Sequence, residues 1–209
     1  MSEAVVASVL AALPEGPLTV FGYGSLMWRP GFPVESSAPA RLAGYRRALC
    51  VWSWVHRGSK AQPGLVLGLD RGGSCVGRAL TVAEEYRREV VAYLVAREMA
   101  TPVYRPRIVR VRGQPGGTRP ALTFTLDRQH RQYAGRLAPE AAAETVLRGR
   151  GQSGANPDYL RETVTHLREL GVHDAFLERV WALVSARLSR HTAPGAATPP
   201  AGGQPDERT

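Results

Sequence analysis

Apolar and β-branched residues in the first part of the chain recur with the period of two that is typical of β-strands. In the clearest case, Leu122, Phe124 and Leu126 alternate with threonines. Such alternation predicts a sheet that buries one face in a core. Strands are predicted at 18–23, about 41–56, 64–70, 74–82, 104–112 and 120–126.

Helical periodicity interrupts the strands once and dominates the last third of the chain. Asn156-Pro157 is typical of a helix start, with Asn156 as the N-cap and Pro157 in the first turn. Because strands come first and most helices come late, the order predicts an α+β fold with an antiparallel sheet that can close into a barrel. Helices are predicted at about 83–98, 139–149, 157–170 and 173–190.

The two ends of the chain differ from its middle. Residues 1–17 predict a short helix that ends near Pro14, whereas residues 191–209 are rich in Ala, Pro, Gly and Thr and predict disorder. We therefore expect an N-terminal extension over 1–17, one domain over 18–190 and a disordered tail over 191–209.

Composition narrows the class of protein. No apolar run approaches the roughly 20 residues that a membrane span needs, and no basic segment precedes the first Ala/Val stretch, so we expect a cytoplasmic protein without a membrane partner. Cys50 and Cys75 lack CxxC spacing and lie in predicted strands, which favours buried free thiols. The oligomeric state is not predicted by any pattern.

The net charge of +9 raises the question of nucleic acid. Lys60 is the single lysine, and the arginines are scattered over strands, helices and loops without an RNA-binding motif. This distribution predicts no nucleic-acid partner. A positive field also favours small polyanionic substrates, so charge alone does not choose between partners.

The segment LTVFGYGSLMWRPGF, residues 18–32, runs from a strand into two glycines that flank an aromatic residue. A dinucleotide fingerprint would need glycine where Met27 stands. A serine-hydrolase elbow around Ser25 would likewise need a glycine where Met27 stands. Two readings stay open: a tight turn at the strand end, or a concavity of backbone N–H groups that binds an anion or oxyanion.

The five histidines show neither HExxH nor another paired short spacing, so no metal site is predicted. His56 follows a strand and is either at a cleft or a hydrogen-bonding surface group. The sequence offers a carboxylate as the better acid or base.

Glu98 continues the apolar stripe of its predicted helix, because Val91, Leu94 and Val95 precede it by seven, four and three residues. Burial there would raise the pKa of its carboxyl into the range of a general base. Alternatively, the helix ends before Glu98, or Arg97 or Arg105 pairs with it. Glu89 points about 180° away and is the poorer candidate.

Several segments occur together in one order: VFGYGSLMWRPGFP, GYRR, VHRGS, PGLVLGLDRGGSCVGRAL, YLVAREM, YRPRIVRV, QYAGRL and GANPDYLRETVTHLRELGVHD. Over about residues 19–190 the chain resembles the ChaC family of glutathione-specific γ-glutamylcyclotransferases. The resemblance implies a mixed α/β fold around a small barrel and cleavage of glutathione to 5-oxoproline and Cys-Gly without a cofactor. It also implies a catalytic Glu98, with a supporting role for Glu89. The substrate-binding residues that it implies are Val20, Phe21, Gly22, Tyr23, Gly24, Ser25 and Leu26.

Two segments depart from the family pattern. REMATPVY replaces the more usual REKGGY after the catalytic glutamate, and CVWSWVHRG lacks a glycine-serine pair ahead of HRG. We expect these differences in the wall of the site, where they affect substrate preference more than reaction type. Other γ-glutamyl compounds, or γ-glutamyl binding without turnover, are the alternatives.

Overall fold

The computed structural model describes residues 2–113 and 117–192. Within them, two 3-10 turns, at Ser25–Met27 and Glu84–Tyr86, accompany the longer elements. The strands are β1 (Leu18–Gly22), β2 (Ser36–Ser53), β3 (Gly64–Val82), β4 (Tyr104–Gly113), β5 (Thr118–Leu126), β6 (Arg150–Gly151) and β7 (Gly154–Ala155). The helices are α1 (Ser2–Ala12), α2 (Arg87–Glu98), α3 (Pro139–Arg148), α4 (Asn156–Glu169) and α5 (Ala175–Thr192).

Five strands close a barrel in the order β1-β3-β2-β4-β5. Closure is made by β1 and β5, which run parallel and pair Val20 with Leu122, while the other neighbours are antiparallel. The predicted α+β class with a mixed, mainly antiparallel barrel is confirmed. Closing the sheet pairs its two outermost strands with each other, which shortens the edge that could act as a template for unwanted strand pairing.

The predicted break between strands at 64–70 and 74–82 is wrong, because β3 is one continuous strand. Gly72 and Gly73 have φ values of 98° and 72°, and they form an irregularity opposite Gly44 on β2 instead of a chain reversal. The partner strand β2 is almost as long, with 18 residues against 19, and pairs with β3 on both sides of this point. A glycine pair thus bends the ladder without ending it.

Alternate residues of the barrel strands pack into two large cores, and a third, smaller cluster contains Cys50, Val51 and Leu126. On β1, Val20 belongs to the core covered by α1 and α2, and Phe21 belongs to the core covered by α3, α4 and α5. The N-terminal helix contributes Val6 and Val9 to the first core. The predicted helix in 1–17 is therefore present and packs against the barrel.

Several boundaries differ modestly from the predictions. α2 begins at Arg87 after a 3-10 turn, and α5 extends through Thr192. Of the tail predicted to be disordered, residues 193–209 lie outside the described residues. Cys50 and Cys75 are buried free thiols, as predicted, and burial raises the pKa of Cys50 to about 12. No helix in the described part of the chain is long and apolar enough to span a membrane.

Asn156 is not the N-cap of α4, which corrects the sequence prediction. Ala155 occupies that position, and no side chain caps the helix. The Asn156 amide is fully buried and reaches β3, where Oδ1 accepts the Leu65 N–H at 2.6 Å and Nδ2 donates to the Leu65 carbonyl at 2.8 Å. The side chain thus acts like a strand neighbour that fixes α4 on the barrel.

We expect Asn156→Ala to lower the free energy of unfolding by about 2–4 kcal/mol, because it leaves a buried N–H and a buried carbonyl of Leu65 without partners. Urea denaturation measures this change. Asp158→Ala is the control, since its exposed pair with Arg161 on the same helix should contribute less than about 1 kcal/mol. Equal losses in the two variants would contradict the assigned role of Asn156.

Candidate active site

The glycine-rich segment after β1 forms a tight 3-10 turn at one end of the barrel. Its first hydrogen bond runs from the Met27 N–H to the Gly24 carbonyl at 2.9 Å, so the Ser25 and Leu26 N–H groups precede the bonded part of the turn. Gly22 is tightly packed, because a Cβ there would lie 3.3 Å from both Leu26 Cβ and Met27 N and would press on the turn.

A cavity of about 150 Å³ opens beside this turn, and we call it the inner cavity. It brings together the turn, α2, α4 and strands β3, β4 and β5. Its lining residues are Tyr23, Gly24, Ser25, Leu26, Val66, Leu67, Glu98, Tyr104, Thr123, Phe124 and Tyr159.

Only part of the predicted substrate-binding stretch reaches the inner cavity. Residues Tyr23 to Leu26 line it, whereas Val20 and Phe21 point into the two cores and Gly22 packs against the turn. The turn residues are therefore available to a ligand, and the strand residues hold the turn in place.

Glu98 lies where its helical stripe predicted, in the wall of the inner cavity. Val91, Leu94 and Val95 are buried, and α2 ends at Glu98 itself, which leaves 19% of the Glu98 side chain exposed. Burial raises the pKa of the Glu98 carboxyl above its usual range, and the positive charge of Arg97 partly opposes this shift. A carboxylate in this state is suited to accept a proton.

Arg97 links the Glu98 carboxylate to the turn. Its Nε lies 3.3 Å from Glu98 Oε1, and one terminal nitrogen donates to Ser25 Oγ at 3.2 Å. The other terminal nitrogen donates to the carbonyls of Arg29 and Pro30. Of the two pairings considered from the sequence, Arg97 is thus the partner of Glu98. Arg105 instead pairs with Asp127.

Ser25 does not have the surroundings of a nucleophile. Its hydroxyl oxygen accepts a hydrogen bond from the Arg97 guanidinium, a group that stays protonated and cannot act as a base. The segment is not a dinucleotide-binding site either, since a 3-10 turn of three residues stands where such a fingerprint needs a helix.

The remaining sequence candidates lie elsewhere. Glu89 is exposed on α2 and is not among the residues that line the inner cavity, so its supporting role stays a prediction. His56 does face a cleft, and its Nδ1 lies 3.0 Å from Ser153 Oγ. Among the described residues, no group of three or more His, Cys, Asp or Glu side chains is arranged to hold a metal ion.

A second cleft of about 530 Å³ adjoins the inner cavity, and we call it the outer cleft. Both segments that depart from the family pattern line it, through residues 51–57 and through Ala100, Thr101 and Tyr104. Arg29 and Arg57 add positive charge to it. The residues shared by the inner cavity and the outer cleft are Ser25, Val66, Glu98, Tyr104 and Tyr159.

Sequence reasoning missed Tyr104 and Tyr159, although both line the inner cavity. Tyr104 begins β4, and Tyr159 sits beside Leu160 in the first turns of α4. Their positions in strand and helix patterns are those of ordinary half-buried aromatics. Only the closed barrel brings them within one cavity.

Solved structures with the same fold define the class of protein. A crystal structure of a γ-glutamyl cyclotransferase specific to glutathione from yeast superposes with a TM-score of 0.76, covering 86% of this chain and 100% of that chain at 19% identity. A further structure titled γ-glutamyl cyclotransferase gives a TM-score of 0.50 at 17% identity, over 79% of this chain and 87% of that one. The chain therefore has the γ-glutamylcyclotransferase fold.

The model of the ChaC-like protein family matches residues 18–187, and the chain belongs to this family. A glutathione-specific γ-glutamylcyclotransferase of Escherichia coli is 33% identical over 94% of this chain and 85% of its own length. Glutathione-specific γ-glutamylcyclotransferase 1 of Mus musculus is 34% identical over 82% of this chain and 79% of its own length.

Proposed function

We propose that this protein is a γ-glutamylcyclotransferase that cleaves glutathione to 5-oxoproline and Cys-Gly. The observation that carries the proposal is the largely buried Glu98 carboxylate, which shares with the glycine turn a small cavity that continues into a larger cleft. The named activity of relatives that match most of the chain supports the same substrate.

The reaction is an intramolecular aminolysis. The α-amino nitrogen of the γ-glutamyl unit attacks its own γ-carbonyl carbon, a new C–N bond closes the five-membered lactam, and the amide bond to cysteine breaks. Glu98 takes one proton from the α-ammonium, and the same nitrogen loses a second proton as the ring forms. Glu98 passes both protons in turn to the leaving nitrogen, which departs as the ammonium of Cys-Gly, so no water or cofactor is consumed. Since both reacting groups belong to one substrate, the site contributes mainly by folding it into an attack geometry.

The two spaces fit the two halves of the substrate. The inner cavity suits the γ-glutamyl unit, and the outer cleft suits the Cys-Gly portion. The N–H groups of Ser25 and Leu26 hold the α-carboxylate at the turn, because both precede the first hydrogen bond of the turn and both residues line the inner cavity.

Arg57 is placed to bind the glycine carboxylate at the far end. Its guanidinium lies 5.4 Å from the centroid of the Tyr159 ring, and one nitrogen donates to the Ala155 carbonyl at 3.2 Å. These contacts hold the positive charge in the wall of the outer cleft. Bidentate geometry makes arginine well suited to carboxylates.

Incubation of the purified protein with glutathione tests the proposed function, with mass detection of 5-oxoproline and Cys-Gly. Equal amounts of both products are expected. Glutathione acetylated at its α-amine is the matched substrate control and should be inert, because cyclisation needs that nitrogen. Binding of glutathione without either product would favour a non-catalytic γ-glutamyl-binding module.

We expect glutathione to be turned over faster than γ-glutamyl dipeptides, which lack the Cys-Gly carboxylate, with a ratio that falls as salt screens Arg57. Arg57→Gln should raise the KM for glutathione about 10-fold, the change expected for one lost charge-assisted bond. Arg110→Gln, at an exposed position of β4, is the control. Faster turnover of simple γ-glutamyl amino acids would keep the reaction class and refute the preference for glutathione.

We expect Arg97→Gln to move the acidic limb of the pH profile of kcat/KM to higher pH. Glu98 must be ionised to accept a proton, and Arg97 lowers the pKa of Glu98 against the effect of burial. In the inner cavity the other ionisable groups beside Glu98 are the neutral phenols of Tyr23, Tyr104 and Tyr159. The outer cleft adds Arg29, Arg57, His56 and Glu162, but among the described residues Arg97 is the charge that lowers the pKa of Glu98.

The pH profile of initial rates with glutathione measures this shift. Arg88→Gln is the matched control, because Arg88 is an exposed arginine on the same helix whose partner is Glu3. The acidic limb of the pH profile of Arg88→Gln should coincide with that of the wild type. An acidic limb that stays in place or moves to lower pH in Arg97→Gln would contradict the assignment of Glu98 as the titrating base.

A further inference from the structure

Three tyrosine hydroxyls surround the carboxylate in the inner cavity. Tyr23 is buried, and Tyr104 and Tyr159 are half-buried. Desolvation raises the pKa of Tyr159 to about 12 and those of the other two well above their usual value. All three are therefore neutral phenols at physiological pH. Each can donate one hydrogen bond and accept another.

The backbone of Leu67 fixes opposite hydrogen-bond polarity on two of these phenols. Tyr104 donates its proton to the Leu67 carbonyl at 2.8 Å. Tyr159 instead accepts the Leu67 N–H at 3.0 Å. Because a peptide carbonyl only accepts and a peptide N–H only donates, these directions do not depend on where hydrogens are placed.

The direction of its bond to Leu67 determines whether each hydroxyl can donate or accept a hydrogen bond with a ligand. The single proton of Tyr104 is used, so its oxygen can only accept. The proton of Tyr159 is not used in its bond with Leu67, so that hydroxyl remains able to donate. The site therefore presents an acceptor and a donor on neighbouring phenols.

Both phenols stand at the border between the two spaces. Tyr104 and Tyr159 line the inner cavity and the outer cleft, as does Glu98. In a γ-glutamyl substrate that fills both spaces, the γ-carbonyl joins the two halves and must lie at this border. The attacking α-amine must fold back to the same place.

We propose that Tyr159 donates a hydrogen bond to the γ-carbonyl oxygen and that Tyr104 accepts one from the α-ammonium. This assignment rests on the proposed function. As the α-nitrogen bonds to the γ-carbon, the carbonyl electron pair moves to oxygen, and the Tyr159 bond strengthens. The pair returns when the bond to the cysteine nitrogen breaks, and Tyr159 keeps its proton throughout. Tyr104 acts earlier, because it orients the ammonium toward Glu98.

The two phenols should give different kinetic signatures when their hydroxyls are removed. Tyr159→Phe should lower kcat for glutathione about 10²- to 10³-fold, the loss typical of one oxyanion donor, and leave KM within about three-fold. Tyr104→Phe should weaken recognition of the amine. Its test compares the KM for glutathione with the inhibition constant of glutaryl-Cys-Gly, which lacks the α-amine. The preference for the amine should fall about 10-fold.

The comparison separates these roles from a structural one. Both variants lose one bond to Leu67, so a purely structural pair would show the same kinetic change in both and an unaltered preference for the amine. That result overturns the proposal, as does a normal kcat in Tyr159→Phe. Tyr133→Phe is the matched control, since its hydroxyl contacts Asp70 outside the inner cavity.

If a phenylalanine variant fails to fold, 3,5-difluorotyrosine is introduced at the same position instead. This residue keeps the hydrogen bond to Leu67 and makes the O–H a stronger donor. At 159 this should change kcat, and at 104 it should leave kcat within about two-fold. An unchanged kcat at 159 overturns the proposal. Wild-type protein that forms no 5-oxoproline from glutathione refutes the proposed function first, whereas active wild type with indistinguishable variants refutes only the tyrosine assignment.

Discussion

Glu98→Gln should lower kcat/KM for glutathione by at least about 100-fold, because the amide keeps the shape of the side chain and cannot accept the proton. The structure places this carboxylate in the wall of the inner cavity, which the turn that holds Ser25 and Leu26 also lines. Initial rates of 5-oxoproline formation measure the change. Near-normal turnover in this variant would refute the role of Glu98 as the base.

The same substitution should not destabilise the fold at neutral pH. Burial raises the folded-state pKa of Glu98 above its unfolded value of about 4.3. The contribution of Glu98 to the free energy of unfolding is therefore fully present below that unfolded pKa, and it is lost as the pH rises through the folded pKa. Glutamine does not ionise, so the variant should equal the wild type at low pH and be at least as stable at neutral pH. Urea denaturation at the two pH values measures this.

Glu89→Gln is the matched control on the same helix. Its side chain is exposed and does not line the inner cavity, so turnover should change far less than in Glu98→Gln. Losses of similar size in both variants would mean that the helix itself is disturbed, or that both carboxylates take part in the reaction.

Local periodicity was enough to locate the carboxylate. Val91, Leu94 and Val95 define the buried stripe of α2, and extending the stripe by one step leads to Glu98. The stripe could not show that Arg97 pairs with Glu98, because residues next to each other on a helix do not share a face. That pairing depends on Arg97 also reaching Ser25.

Long-range contacts account for what the sequence did not predict. Asn156-Pro157 has the chemistry of a helix start, yet the Asn156 amide gains two buried bonds to Leu65 on a distant strand, and these outweigh one cap bond. Likewise, the Gly72-Gly73 pair has the composition of a turn, but the long ladder with β2 continues through it. Pairing energy over a whole strand thus overrides a local preference.

The glycines of the turn serve different purposes, and this contrast leads to a second large effect. A Cβ on Gly22 would press against Leu26 and the Met27 backbone at 3.3 Å. A Cβ on Gly24 would meet only Leu67 Cδ1, at an ordinary 3.5 Å. Packing therefore favours glycine at the first position, whereas the second, which lines the inner cavity, leaves room for a side chain.

Gly24→Val should raise the KM for glutathione by more than about 10-fold, because a β-branched side chain would occupy the space where the γ-glutamyl unit approaches the backbone. Gly113→Val is the matched control, since a Cβ there also meets a single atom, Arg119 Nη2 at 3.6 Å, far from the inner cavity. Steady-state kinetics and thermal unfolding of both variants separate binding from stability. A normal KM in Gly24→Val would contradict the turn as the binding surface, and unfolding of that variant alone would assign Gly24 to structure. If the KM rises while the two melting temperatures stay close, Gly24 is a glycine because the substrate occupies the place of its side chain.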